Sequence, residues 1–150
     1  MTVEVDQIYR IPPLLTDLNR EFWIGGEVGE LRIWRCRTCD EWLHPPSPVC
    51  RKCHSTDVGF DVASGRATVS TFSINHYQWS AQAGRDPYVI AIVELEEDPG
   101  LRLITNIVGC GVGEVRIGQR VQVIFRSFDD VWLPLFEPAS NETDGTHDVQ

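Results

Sequence analysis

Four cysteines constrain the fold of this chain more than any other feature. They form two Cys-x-x-Cys pairs, Cys36/Cys39 and Cys50/Cys53, and the ten residues between the pairs include three prolines. Two such pairs can bring four thiolates to the corners of a tetrahedron, which is the coordination of Zn²⁺ in closed structural sites. A redox-active motif would need only one pair. The spacing therefore predicts a rubredoxin-like zinc ribbon with Cys36, Cys39, Cys50 and Cys53 as the ligands.

The same cysteines would form two disulfides if the domain were secreted. Residues 1–6 lack the basic and apolar segments of a secretory signal, so we expect a reducing, cytoplasmic location. Because four thiolates saturate a closed site, the zinc is expected to stabilise the fold rather than to catalyse. The neighbouring His44 and His54 are then predicted to be solvated rather than metal ligands.

The charge balance limits the classes of partner. The chain has 13 Lys and Arg against 22 Asp and Glu, a net charge of −9, which disfavours a nucleic-acid surface. No apolar run approaches the about 20 residues of a membrane-spanning helix. The segment from Arg32 to His54 is the exception, with five basic and two acidic residues. Much of this positive charge offsets the zinc–thiolate centre, and a phosphate contact remains open for Arg35, Arg37, Arg51 and Lys52.

Beyond the cysteines, the sequence is rich in strand signals. A short helix is predicted from an N-cap at Thr16 to Gly25-Gly26, and ribbon strands at 31–35 and 58–60. Five further strands follow without an intervening helix, which is compatible with a Greek-key barrel of the OB type, although periodicity alone does not separate it from other small barrels. These five predicted strands are Arg66–Tyr77, Tyr88–Leu95, Leu101–Val108, Arg120–Phe128 and Val131–Phe136.

We therefore expect a mainly β protein in four parts. Residues 1–30 would form an N-terminal arm and helix, 31–62 the zinc ribbon, and 63–138 the five-stranded OB-fold barrel. Residues 139–150 are predicted to be a disordered acidic tail.

Several short motifs follow one another along the chain in a specific order. They are Phe22-Trp23-x-Gly25, Gly29-Glu30-Leu31, the two cysteine pairs around Pro45-Pro46, Ser64-Gly65, Pro87-Tyr88, Ile117-Gly118 and Leu133-Pro134-Leu135-Phe136. In this order the chain resembles, over about residues 10–138, the zinc-ribbon/OB-fold family known as domain of unknown function 35. Members of that family work beside thiolase-superfamily enzymes on CoA thioesters. They include the partners of lipid-transfer-protein-type aldolases, which shorten the steroid side chain, and small subunits of acyltransferases.

The resemblance implies a non-catalytic accessory subunit. It would bind a lipid-transfer-protein-type enzyme of the thiolase superfamily in a hetero-oligomer and support retro-aldol cleavage of a CoA thioester, in steroid or cholesterol side-chain degradation. The alternatives are an acyltransferase subunit, a protein that binds acyl-CoA directly, and, least favoured, a module that binds single-stranded nucleic acid. If CoA is bound, the residues for its phosphates would be Arg35, Arg37, Arg51 and Lys52.

The residues themselves predict no catalytic site. Cys110 lies between two glycines, but neither a base nor an oxyanion hole is evident, so we expect a buried cysteine at a strand end. His76 is predicted to be a hydrogen-bonded strand residue, with a general base as the weaker alternative. Tryptophan is enriched in interface hot spots. We expect partner contacts from Phe22, Trp23, Trp79 and Trp132.

Overall fold

The fold is mainly β, as the sequence predicts. The computed structural model describes residues 10–140, so residues 1–9 of the predicted arm and most of the predicted tail lie outside the described range. The strands form a three-stranded sheet of order β2-β1-β3 and a closed barrel of order β4-β5-β6-β8-β7. Their bounds are β1 Leu31–Cys36, β2 Trp42–Leu43, β3 Val58–Ala63, β4 Arg66–Asn75, β5 Tyr88–Leu95, β6 Arg102–Ile107, β7 Arg120–Phe128 and β8 Val131–Pro138.

The N-terminal helix begins and ends later than predicted. Helix α1 spans Arg20–Ile24 and continues as a 3₁₀ helix over Gly25–Val28. The backbone N–H of Asn19 donates to Thr16 Oγ1 at 3.2 Å, so Thr16 caps a turn that precedes the helix. Gly25-Gly26 do not end the helical segment; Gly29 does, with a φ of 75° that glycine adopts at no steric cost.

The five barrel strands lie within two residues of their predicted bounds, and they close into the OB-type barrel. Strand β4 has a bulge between Val69 and Thr71, where its register against β5 shifts. A bulge bends its strand and increases the local twist, which helps a short sheet to close on itself.

One core continues from the ribbon sheet into the barrel. Leu31, Ile33 and Trp42 of the ribbon belong to the same buried cluster as Val93 and Phe136 of the barrel. The chain passes from β3 to β4 through Ser64-Gly65 alone. The ribbon is therefore packed directly against the barrel.

The barrel closes along a weak seam between β6 and β8. These strands are parallel, and their ladder has one register pair, Ile107 with Phe136. Pro134 has no backbone N–H to donate, and the hydroxyl group of Thr105 reaches its carbonyl oxygen at 3.0 Å. A side-chain hydrogen bond thus supplements the ladder at this seam.

Candidate metal centre and docking surfaces

The two cysteine knuckles have the same backbone geometry. The N–H of Asp40 donates to the carbonyl oxygen of Cys36 at 3.0 Å, and that of His54 donates to Cys50 at 2.9 Å. Asp40 and His54 have φ values of 64° and 60°, a left-handed conformation in which Asp and His are enriched. Each knuckle therefore turns its two thiols toward the other.

The four sulfur atoms fit one zinc ion. The Sγ atoms of Cys36 and Cys53 are 3.6 Å apart, as are those of Cys39 and Cys50, and all four lie within 4.8 Å of one another. Tetrahedral zinc with Zn–S bonds of about 2.3 Å places its sulfur atoms about 3.8 Å apart. These cysteines form the structural zinc site that their spacing predicts, and a four-thiolate shell leaves no position for a substrate.

The groups around the cysteines stabilise the thiolate form of some of them but not of all four. The backbone N–H of Cys53, followed by that of Lys52, lowers the pKa of Cys50 to about 6, although burial opposes the shift. The N–H of Glu41 favours the Cys39 thiolate, yet burial and the neighbouring thiols raise the pKa of Cys39 to about 12. Zn²⁺ supplies the positive charge that allows all four to ionise together.

Three of the four basic residues predicted to contact phosphate form ion pairs with carboxylates of this chain. Arg35 donates to Asp61 Oδ2 at 2.9 Å and lies over the Trp42 ring. Arg51 and Lys52 lie 3.5 and 3.7 Å from the carboxylate of Glu41. Within residues 10–140, Arg37 forms no ion pair of this kind. The phosphate contacts stay a prediction.

The two ribbon histidines differ from each other. His54 is exposed, as expected. The prediction that His44 is solvated is wrong, because its ring lies 5.1 Å from the Phe22 ring and the side chain is half-buried. Burial lowers the pKa of His44 to about 4. His44 is buried because the N-terminal helix packs near the loop that carries it.

Neither candidate for catalysis lies in a catalytic arrangement. Cys110 is half-buried and packs against the core three residues beyond β6. Burial, followed by the nearby Glu114, raises the pKa of Cys110, which favours the thiol over the nucleophilic thiolate. His76 lies just past the end of β4 and is exposed, so the predicted strand position is wrong.

An apolar groove of about 830 Å³ lies outside the barrel. Its floor is the outer face of β5 and β6, where Ile90, Ile92 and Ile104 alternate with residues that point into the core. Strands 2 and 3 of an OB fold, here β5 and β6, form the face that commonly binds ligands. The groove walls include Phe22 and Trp23 of α1, His44, Pro45 and Pro46 of the ribbon loop, and Leu133 and Pro134 of the seam.

The four aromatic residues predicted to contact a partner have different surroundings. Phe22 and Trp23 form an edge-to-face pair, with ring centroids 4.9 Å apart, in the wall of the groove. Trp132 is half-buried against the 3₁₀ helix. Trp79 is 74% exposed and pairs with the exposed Tyr77, while its indole N–H donates to Asn75.

The groove is the feature that sequence reasoning missed. A sequence signal for the groove exists in β5, where both faces of the strand are apolar. Val89, Ala91 and Val93 face the core, and Ile90 and Ile92 face outward. A strand that is apolar on both faces requires cover on both.

Comparisons with known proteins agree with this fold. Residues 23–59 match the family described as "ChsH2, rubredoxin-like zinc ribbon domain", and residues 61–126 match "ChsH2, C-terminal OB-fold domain". A solved chain from the "Ltp2-ChsH2(DUF35) aldolase" is 33% identical, with a TM-score of 0.74, and the match covers 85% of this chain and 98% of that one.

Two curated relatives match the chain over part of their own length. The 3-oxo-4,17-pregnadiene-20-carboxyl-CoA hydratase alpha subunit of Mycobacterium tuberculosis is 37% identical over 78% of this chain and 36% of its own length. A DUF35 domain-containing scaffold protein of Methanocaldococcus jannaschii is 38% identical over 61% of this chain and 64% of its own length. The chain thus spans between about a third and two thirds of the length of these relatives. Within the described residues, no helix has the length and hydropathy needed to cross a bilayer.

Proposed function

Because the chain belongs to the ChsH2 (DUF35) family of proteins, which join a rubredoxin-like zinc ribbon to an OB-fold domain, we propose that it is a non-catalytic accessory subunit of a thiolase-superfamily enzyme. The enzyme would be of the lipid-transfer-protein type, and its reaction the retro-aldol cleavage of a CoA thioester in steroid side-chain degradation. The match across 98% of a chain solved as part of the Ltp2-ChsH2(DUF35) aldolase is the observation that supports this most directly. The name of the pregnadiene-carboxyl-CoA hydratase relative supports the class of substrate.

The chemistry of the described residues supports an accessory role. The zinc site is closed by four thiolates, and the raised pKa of Cys110 favours its thiol form. The catalytic groups would then belong to the partner enzyme. This chain would supply a rigid wall beside the partner's substrate site, so that substrate and catalytic groups keep their alignment.

Aromatic residues would provide part of the contact with the partner. Trp79 and Tyr77 form an exposed pair at the loop that follows β4, and exposed aromatic side chains of this kind are common interface anchors. Phe22 and Trp23 line the groove, and Trp132 holds the 3₁₀ helix beside it. We propose all four predicted aromatic residues, Phe22, Trp23, Trp79 and Trp132, as direct or supporting contacts.

Direct binding of acyl-CoA by this chain alone is the second candidate. Arg37 favours it, because this exposed guanidinium near the zinc site forms no close ion pair within the described residues; its charge acts on Asp61, whose pKa is lowered first by Arg35 and then by Arg37. Phosphates of CoA would be suitable partners for it. An acyltransferase complex would use the same accessory role with a different partner enzyme.

Co-purification tests the proposal. The full chain, tagged and expressed in its native cells, is recovered at moderate salt, and proteins present in stoichiometric amount are identified. We expect a thiolase-superfamily enzyme whose retro-aldol activity on a steroid-side-chain CoA thioester falls when this chain is removed. Recovery of the zinc-loaded chain alone, together with saturable binding of CoA esters, would instead support direct acyl-CoA binding. Full turnover by the purified enzyme without this chain would overturn the accessory role.

A further inference from the structure

The outer face of the barrel carries apolar side chains that the described residues leave exposed. Ile104, in the middle of β6, is 77% exposed, and Ile90, which lies on β5 two residues from Ile92, the cross-strand neighbour of Ile104, is 40% exposed. Both line the apolar groove together with Phe22 and Trp23. Contiguous apolar surface on a folded domain commonly marks a place where another molecule binds.

The groove also carries positive charge. Arg102 at its lining pairs with Glu94 at 3.5 Å, whereas Arg10 has no such partner, and no Asp or Glu belongs to the lining within residues 10–140. The Arg10 side chain is half-buried, donates to Asn106 Oδ1 at 2.8 Å, and forms no ion pair in this range. Burial lowers the pKa of Arg10, because the charged guanidinium loses water without gaining a carboxylate. An acidic group placed here would give Arg10 an ion-pair partner.

The shape of the groove favours a protein over a small molecule. A pocket for a small ligand encloses most of the ligand surface. Here Ile104 projects outward with 77% of its surface exposed, so only a larger surface can cover it and fill the groove at the same time. The occupant should therefore present apolar side chains to the isoleucines and a carboxylate to Arg10.

We propose that this groove is the docking surface for the partner enzyme, which inserts a segment whose apolar side chains cover Ile90 and Ile104 and whose Asp or Glu pairs with Arg10. This inference rests on the proposed function, since it takes the partner to be the thiolase-superfamily enzyme. It goes beyond the predicted aromatic contacts because it selects one face of the barrel and the chemistry of the segment that binds there. Burial of the paired charges at the centre of an apolar contact gives the interface orientation as well as affinity.

Three full-length variants test the docking surface against the purified partner enzyme. Ile104→Asp places a charge in the apolar floor, and Arg10→Glu reverses the charge that the carboxylate would meet. Ile117→Asp is the matched control, because Ile117 is 69% exposed but lies outside the groove lining. We expect Ile104→Asp and Arg10→Glu each to raise the Kd at least about tenfold, and Ile117→Asp to leave it within about twofold. Bound zinc and the circular dichroism spectrum of each variant establish that it is folded.

The outcomes separate this inference from the proposed function. If the wild-type chain retains no thiolase-superfamily enzyme, both proposals fail. If the wild-type chain and Ile104→Asp bind the enzyme equally well, the accessory role stands and the groove is not its docking surface.

Other occupants of the groove give different results. A second copy of the chain would make the wild type dimeric and Ile104→Asp monomeric in multi-angle light scattering. Residues 1–9 of the same chain would make Ile104→Asp lower the Tm of the isolated protein while the enzyme still binds normally. Either result would overturn the docking proposal.

Discussion

Gly26 and Trp132 approach so closely that no side chain fits between them. A Cβ atom on Gly26 would lie 2.6 Å from the Cβ of Trp132 and 2.6 Å from Cδ1 of Phe125. Such distances are far inside van der Waals contact. The absence of a side chain at Gly26 therefore lets the 3₁₀ helix pack onto β7 and β8, and this contact holds one wall of the groove in place.

Gly26→Ala should loosen this contact. Because the new methyl group overlaps backbone-proximal atoms, we expect a loss of about 1–3 kcal/mol in the free energy of unfolding, measured by denaturant titration. Gly113→Ala is the control, since a Cβ atom there would have no neighbour within 4 Å. An equal effect of the two substitutions would show that the close packing at Gly26 is not what matters.

Arg32 links the helix to the ribbon, and its removal should destabilise both. Its guanidinium donates to Glu21 at 2.6 Å and to Glu30 at 2.7 Å and lies over the Phe60 ring, with 18% of the side chain exposed. Arg32→Ala leaves two carboxylates without a partner, so a loss of about 1–3 kcal/mol in unfolding free energy is expected. Arg102→Ala, which removes a more exposed 3.5 Å pair with Glu94, should cost no more than about 1 kcal/mol.

Loss of one zinc ligand should unfold the ribbon. Around the metal, the buried cluster consists of Leu43 and two of the cysteines, Cys36 and Cys50, so the ribbon has little apolar core of its own. Cys39→Ser should abolish stoichiometric zinc, measured by mass spectrometry of the metal, and reduce amide protection in β1 and β2. Cys110→Ser should keep its zinc. Full zinc content in Cys39→Ser would contradict a four-thiolate site.

His44 should make stability depend on pH. Since burial lowers its pKa to about 4, the folded protein disfavours the protonated ring that the unfolded chain accepts below about pH 6.5. Stability from this residue is thus complete above about pH 6.5 and is lost as the pH falls toward 4, by roughly 2 kcal/mol after allowance for partial exposure. Between pH 7 and pH 4.5, denaturant titrations should show wild type losing roughly 2 kcal/mol more unfolding free energy than His44→Gln, with zinc content measured at each pH. Parallel profiles would exclude His44 as the source.

Trp79→Ala should separate binding from stability. Its side chain is 74% exposed and contacts mainly its own loop, so unfolding free energy should change by less than about 0.5 kcal/mol. If the loop contacts the partner enzyme, the Kd of the Trp79→Ala variant for that enzyme should rise by about tenfold or more. Gln82→Ala, an exposed substitution in the same loop, serves as the control. Unchanged affinity for Trp79→Ala would remove this loop from the interface.

The sequence predicts best what is local. The zinc ligands follow from spacing alone, and the five barrel strands follow from alternation within each segment, as in Val131, Leu133 and Leu135. The sequence predicts the helix less well, because capping at Thr16 produces a turn before the helix rather than its first residues.

The groove could not be predicted in the same way, because its parts come from distant segments. Arg10, His44, Ile104 and Pro134 meet only once the barrel has closed and α1 has packed beside the ribbon loop. The burial of His44 is unpredictable for the same reason, since Phe22, whose ring lies against His44, is distant in sequence.

The two-residue passage from ribbon to barrel determines how the protein can meet a partner. The backbone carbonyl oxygen of Gly65 accepts from Val123 N–H at 2.8 Å, and a Cβ atom on Gly65 would overlap the Val123 side chain. The passage is thus tied to β7 by a hydrogen bond, and the ribbon shares a buried core with the barrel. A binding surface that includes both the zinc ribbon and the barrel is therefore preorganised. This chain would then lose little conformational entropy on binding a partner.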